Sequence, residues 1–197
     1  LAERGDTAAS PAVAGLIRSD DQATRVAAIR ALAVLGDASC IPALAKAAAG
    51  GGDTGQAAIE TLNRIRGDGV GAAMSRLLAS GDAAVKAGII KVMATRADRT
   101  VAPALLTAAA DKNADIRREA ITGLAAAAGP EQVPGILALL LSPADASERP
   151  ALARALSLAA LRADAPPDCA EQIAPAVKKA DNDTKPLLLS TLGRLGG

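Results

Sequence analysis

Gly50, Gly52 and Gly55 stand at the G-x-G-x-x-G spacing that lets a backbone approach a pyrophosphate. A dinucleotide site needs that loop to leave a β-strand, so that the pyrophosphate meets the N-terminus of the next helix. Here a helical stretch precedes the glycines, which reads as a turn instead. Asp111, Asn113 and Asp115 begin like a calcium loop. The sixth position is Ile116 where the sharp bend requires Gly, and the twelfth is Thr122 where a bidentate Glu is needed. A solvated turn with a helix cap is the expectation there. Asn182-Asp183-Thr184 fits the glycosylation acceptor pattern, a tripeptide too common to carry weight without a secretory context.

The chain contains no His. That removes the usual general base, the Ser-His and Cys-His couples, and metal triads built on imidazole. Carboxylates remain, but Asp20, Asp21, Asp53, Asp82, Asp115, Asp145, Asp181 and Asp183 fall at turns. A carboxylate at such a place accepts from free N–H groups and suits the positive end of a helix. No catalytic residue, cofactor or metal site is assigned from the sequence.

The elements that carry these residues repeat. In Asp115 to Leu141, Ala120, Ile121 and Leu124 follow Ile116 and Arg117 at helical spacing. Gly129 and Pro130 then end the helix, Gly by allowing a left-handed turn and Pro by being unable to continue. Val133, Ile136, Leu137 and Leu140 open a second amphipathic stretch. The residue just before the base serves as the anchor of each unit and recurs as Thr24, Thr54, Val85, Ile116, Glu148 and Thr184, with spacings of 30, 31, 31, 32 and 36. The base is Arg25, Lys86, Arg117, Arg149 and Lys185, missing only at Gly55; eight residues after the anchors come Leu32, Leu62, Met93, Leu124, Leu156 and Leu192. Prolines at Pro42, Pro103 and Pro134 mark the start of the other helix of each pair. A period of this length predicts a solenoid.

An acid, a β-branched residue and Arg, followed by Ala and Leu at helical spacing after a Pro-containing helix, resembles the short bacterial HEAT repeat of the phycobilisome-lyase type. The resemblance runs through all 197 residues, with the best copies at Asp20 to Asp37 and Asp115 to Gly129. It implies an all-α fold, a right-handed α-α superhelix (α-solenoid) of about six antiparallel helix pairs. It also implies a role in protein contacts, often as one module of a longer, sometimes exported, bacterial protein. HEAT-like DNA glycosylases would bring aromatic side chains for stacking, and iron-dependent HEAT hydroxylases would bring His-Glu ligands; this sequence has neither.

Residues 1–197 are therefore read as one HEAT-like array, an excerpt of a longer protein, with units Thr7 to Asp37, Ala38 to Gly67, Asp68 to Ala97, Asp98 to Gly129, Pro130 to Ala163, and Asp164 to the end. Ala49 to Gly55 and Ala163 to Pro167 are the widest irregular pieces and the candidate hinges. Phe, Tyr and Trp are absent and 51 residues are Ala, so Leu, Ile and Val packed at close helix approach must supply the core. Cys40 and Cys169 stand about four repeats apart, too far to bridge, and read as small core residues. A net charge of +1 offers no gross field for nucleic acid or an anionic membrane, and no stretch reads as a transmembrane span. The compartment, bacterial cytoplasm or export, is left open.

Two surfaces follow from the helical wheel. The recurring bases, Arg25, Lys86, Arg117, Arg149 and Lys185, fall between apolar positions and are expected to snorkel and bond an acid or carbonyl at a neighbouring turn. Positions two, six and ten after the anchor lie opposite the apolar arc and are expected to line a concave groove: Arg30, Glu60, Arg64, Lys91, Arg118, Arg154 and Arg194, with Thr122 and Ser190 completing position six. The sequence points to a noncatalytic scaffold whose groove takes a protein partner or neighbouring domain, an acidic segment in particular. A chromophore-lyase-like subunit, which should co-purify with a tetrapyrrole protein, is the alternative. A structural spacer, which should tolerate charge reversal in the groove, is the third.

Overall fold

The structure, a computed structural model, describes residues 9–96, 99–164 and 166–196. The repeat boundaries placed at Thr7, Ala97 and Asp98, and the terminal Gly197, lie outside the described residues. Among the described residues there are twelve α-helices and no strand, as the repeat pattern predicts. They divide into two compact units, 1–96 and 97–197.

Unit 1 holds α1 (Ser10–Gly15), α2 (Gln22–Leu35), α3 (Ile41–Ala49), α4 (Gly52–Arg64), α5 (Val70–Ser80) and α6 (Ala83–Arg96). The helices pair in sequence order, and α4 packs on α2, α3 and α6. Unit 2 holds α7 (Ala102–Ala108), α8 (Ala114–Ala127), α9 (Val133–Leu141), α10 (Arg149–Leu161), α11 (Pro166–Val177) and α12 (Thr184–Gly196). Its pairs are α7 with α8, α9 with α10 and α11 with α12, and α10 packs against both α8 and α12. Each unit is a solenoid-type stack of three helix pairs.

The predicted apolar stripes are the core. Ile29, Leu32, Leu62, Ile89, Ile90, Met93, Ala120, Leu124, Leu156 and Leu188 are at or near zero exposure. Position five in α12 departs, since Leu189 is 53% exposed. Proline in the first turn opens α1, α3, α7, α9 and α10, where its missing N–H has no partner to lose. Cys40 and Cys169 are buried and free, one in each unit. Burial pushes the Cys169 thiol up, with the charge of Asp168 adding to it.

Three local expectations are corrected. The Ala49–Gly55 stretch is not a wide loop: α3 ends at Ala49 and α4 starts at Gly52, because Gly51 and Gly52 take positive φ (69° and 62°) and reverse the chain at once. Gly55 lies inside α4, where a Cβ would stand 3.1 Å from the Ala48 carbonyl oxygen; close approach of α4 to the end of α3 displaces the base there. α8 does end before Gly129, but that residue is extended (φ −110°) and not left-handed. Of Ala163 to Pro167, Ala165 lies outside the described residues, and Pro166 and Pro167 already belong to α11, which continues past Pro175 to Val177.

Candidate functional site

The second helix of each pair starts on a side-chain cap three residues before the anchor. Asp21 accepts from the Thr24 N–H at 2.8 Å, Asp82 from Val85 at 2.9 Å, Asn113 from Asp115 at 2.9 Å, and Asp181 from Thr184 at 2.8 Å. Asp145 holds the Ser147 N–H at 2.9 Å in the turn before α10. The calcium-like run is thus a cap, with Asp111 in turn accepting from the Asn113 N–H. There are two exceptions: α4, whose cap position is Gly51 and carries no side chain, and α10, which follows the Asp145 turn directly from Glu148 without a side-chain cap of its own. Hydrogen bonds from the Thr24 hydroxyl and N–H hold the Asp21 carboxyl below its usual range. Ser39 does the same for Asp37, hydroxyl first, and the Ser147 N–H for Asp145.

The recurring bases are tied down at five to six residues' reach and across repeats. Arg25 donates through Nη1 to the Ser19 and Asp20 carbonyls at 2.7 and 2.9 Å. Arg117 makes the same pair of bonds, to Asp111 and Lys112 at 3.1 Å each, and adds Nε to Glu148 Oε1 at 2.9 Å. Arg117 and Glu148 are 7% and 5% exposed, a buried ion pair joining α8 to the turn before α10. Arg149 reaches Asp181 at 2.8 Å and Asp183 at 3.9 Å. Lys86 is half-buried. Lys185 corrects the expectation: it is exposed and makes no such side-chain bond among the described residues.

A second set of arginines was not read from the sequence. Arg96 donates to the Leu62 and Ile65 carbonyls at 2.9 and 2.7 Å, and Arg162 to Ala125 and Ala128 at 2.8 Å each. In both cases these are the C-cap carbonyl of the preceding second helix and the one three residues before it. A cation there satisfies open carbonyls and opposes the negative helix end. The two arginines lie 11 and 14 residues after their anchors, so no fixed column of the alignment contains both.

The predicted groove residues are exposed on the second helices. In unit 1, Arg30 and Glu60 line one cleft of about 600 Å³ between α2 and α4, together with Asp21 and Asp53. Arg64 and Lys91 are exposed outside that cleft, on α4 and α6. In unit 2, Arg154 and Arg194 line a cleft of about 390 Å³ between α10 and α12, and Arg154 with Thr122 lines one of about 300 Å³ between α8 and α10. Arg118 is paired with Asp115 on its own helix. The structure therefore brings Arg30 beside Glu60 and Arg154 beside Arg194, and Arg64, Lys91 and Arg118 line none of these clefts. No helix is long and apolar enough to cross a membrane, among the described residues.

The family model for HEAT repeats matches residues 70–157. Residues 70–157 carry HEAT repeats. Two solved structures agree on the fold of the chain. A designed armadillo repeat protein in complex with peptide (KR)4 is 17% identical, with 94% of this chain and 99% of that chain covered and a TM-score of 0.55. An engineered protein is 18% identical over 95% and 98% of the two chains, at 0.53. The complex of CpcE and CpcF of phycocyanin lyase from Nostoc sp. PCC7120 is 18% identical over 95% and 77%, at 0.48. No curated protein matches the chain.

Proposed function

We propose that this HEAT-repeat chain is a noncatalytic interaction scaffold whose second-helix faces hold an acidic segment of a partner protein or of a neighbouring domain. One arrangement supports the reading. Leu152, Leu156, Leu188 and Leu195 are buried while Arg154 and Arg194 stand exposed over a shared cleft, with no carboxylate among its lining residues. Neither guanidinium has a side-chain partner among the described residues, so both are open to bidentate contact with carboxylates. Arg30 differs, since Asp21, Asp53 and Glu60 share its cleft and offset its charge. The designed armadillo repeat protein of similar fold is solved with a basic peptide. The bare arginines here select the opposite charge. With no aromatic anchors, affinity is modest and salt-sensitive.

The test uses a labelled poly-glutamate peptide against the wild type and the triple variant Arg30→Glu, Lys91→Glu, Arg154→Glu. Binding at low salt that weakens as salt rises, and that falls by about tenfold or more in the variant, supports the scaffold reading. Affinity that ignores both changes excludes these faces as the binding surface.

A further inference from the structure

Arg18, Arg25 and Lys46 line a pocket of about 450 Å³ in unit 1, whose wall continues through Gly50, Gly51 and Thr54. No carboxylate lines it, and it shares no residue with the cleft around Arg30. Arg18 and Lys46 make no side-chain bond among the described residues. Arg25 is pinned through Nη1 alone, which leaves its other nitrogens available.

Two later repeats show an acid opposite such a base, while the repeat after Lys86 offers Asn113 and Ile116. Arg117, held by the equivalent pair of carbonyls, gives its Nε to Glu148, the anchor residue of the next repeat. Arg149 takes Asp181, the cap residue of the next repeat. In the repeat that follows Arg25 these two positions are Thr54 and Gly51, and both line the pocket without a charge. The nearby Asp53 does not substitute, because its Oδ2 accepts from the Gln22 amide at 3.3 Å on the wall of the other cleft. The repeat has thus lost both of its internal anions while two further cations, Arg18 and Lys46, border the same space.

We propose that this pocket binds a phosphate monoester as its dianion. A carboxylate would match one cation of three. A tetrahedral dianion offers three oxygens to Arg18, Arg25 and Lys46, and its remaining contacts fall to the first-turn N–H groups of α4, which no side chain caps. The glycine-rich turn thus serves a phosphate without a β-strand or a dinucleotide fold.

Inorganic phosphate and a phosphoserine peptide are titrated separately into the chain at low salt, by calorimetry and by phosphorus NMR line broadening, with acetate as the control anion. Saturable one-to-one phosphate binding, tighter than acetate and weakened about tenfold in Arg25→Gln, is the expected result. Thr54→Glu restores the internal carboxylate of the later repeat. It should abolish phosphate binding while keeping the helical circular dichroism, and Lys46→Ala provides a second variant whose exposed position spares the fold. Tighter binding of the phosphoserine peptide assigns the phosphate to a protein partner, and equal or weaker binding assigns it to a free ester. No saturable binding, or binding unchanged in Thr54→Glu, overturns the site.

Discussion

Arg117 and Glu148 exchange a charge across two repeats in a setting almost closed to water, so each depends on the other. Removing one partner leaves a buried unpaired charge. Arg117→Met should cost about 3–5 kcal/mol in urea unfolding, whereas Arg117→Met with Glu148→Leu should recover most of the loss. Lys185→Met, at an exposed base with no side-chain bond among the described residues, should stay within about 0.5 kcal/mol. The capping carboxylates give a pH dependence with a definite sign. Asp21, Asp37 and Asp145 titrate lower in the folded chain than in the unfolded one. Their contribution is therefore complete above an unfolded value of about 4 and is lost as pH falls through the lower folded values. Thermal melts followed by circular dichroism should be flat with respect to these groups at neutral pH and drop below about pH 4. That the recurring base could not face open water was legible from its place on the helical wheel. Its partner was not, because Glu148 occupies a position where other repeats carry Thr, Val or Ile, and pairing across 31 residues is set by packing.

At the scale of the helix, side-chain caps start α2, α6, α8 and α12, and α4 has glycine at that place. Gly51 combines φ 69° with ψ −165°, a region nearly closed to L side chains, although a Cβ there would meet only open space. Gly51→Ala should therefore cost about 1–3 kcal/mol through the backbone alone. Arg162→Met should cost about 2 kcal/mol, because it strips two carbonyls at the end of α8 of a charged donor. Helix existence and pairing were legible, since apolar spacing, turn acids and first-turn prolines agree with one another. The lengths of the irregular pieces were not. Three glycines between Ala49 and Asp53 suggest a loose loop when counted, yet two of them at positive φ make the tightest reversal available. The arginines that end the preceding helices were hidden for a related reason: α10 runs to Leu161 and shifts its arginine by three residues against that of α6.

Within each unit stability is a sum of pair and neighbour terms, so unfolding should proceed from the weakest pairs and not all at once. Hydrogen exchange should be fastest in α3 with α4, where the cap and the recurring base are missing, and in α11 with α12, where Pro175 removes a ladder bond within α11. Slowest exchange in those two pairs would contradict this. The apolar core was legible as a stripe, and in a chain without aromatics it consists of Leu, Ile and Val with Ala, Met and Cys. The charge pattern of the clefts was not legible, because Asp21 and Asp53 come to Arg30 from helix starts that the wheel of a single helix does not contain. The ion pairs also have a direction. Arg117 and Arg149 each reach forward to an acid in the next repeat, while Arg162 reaches back to the carbonyls of the one before. A repeat excised from unit 2 and spliced into another array would therefore carry unmatched halves of these bonds at both ends. Duplication of such units is constrained less by the fit of their apolar faces than by whether the adjoining copy brings the missing half.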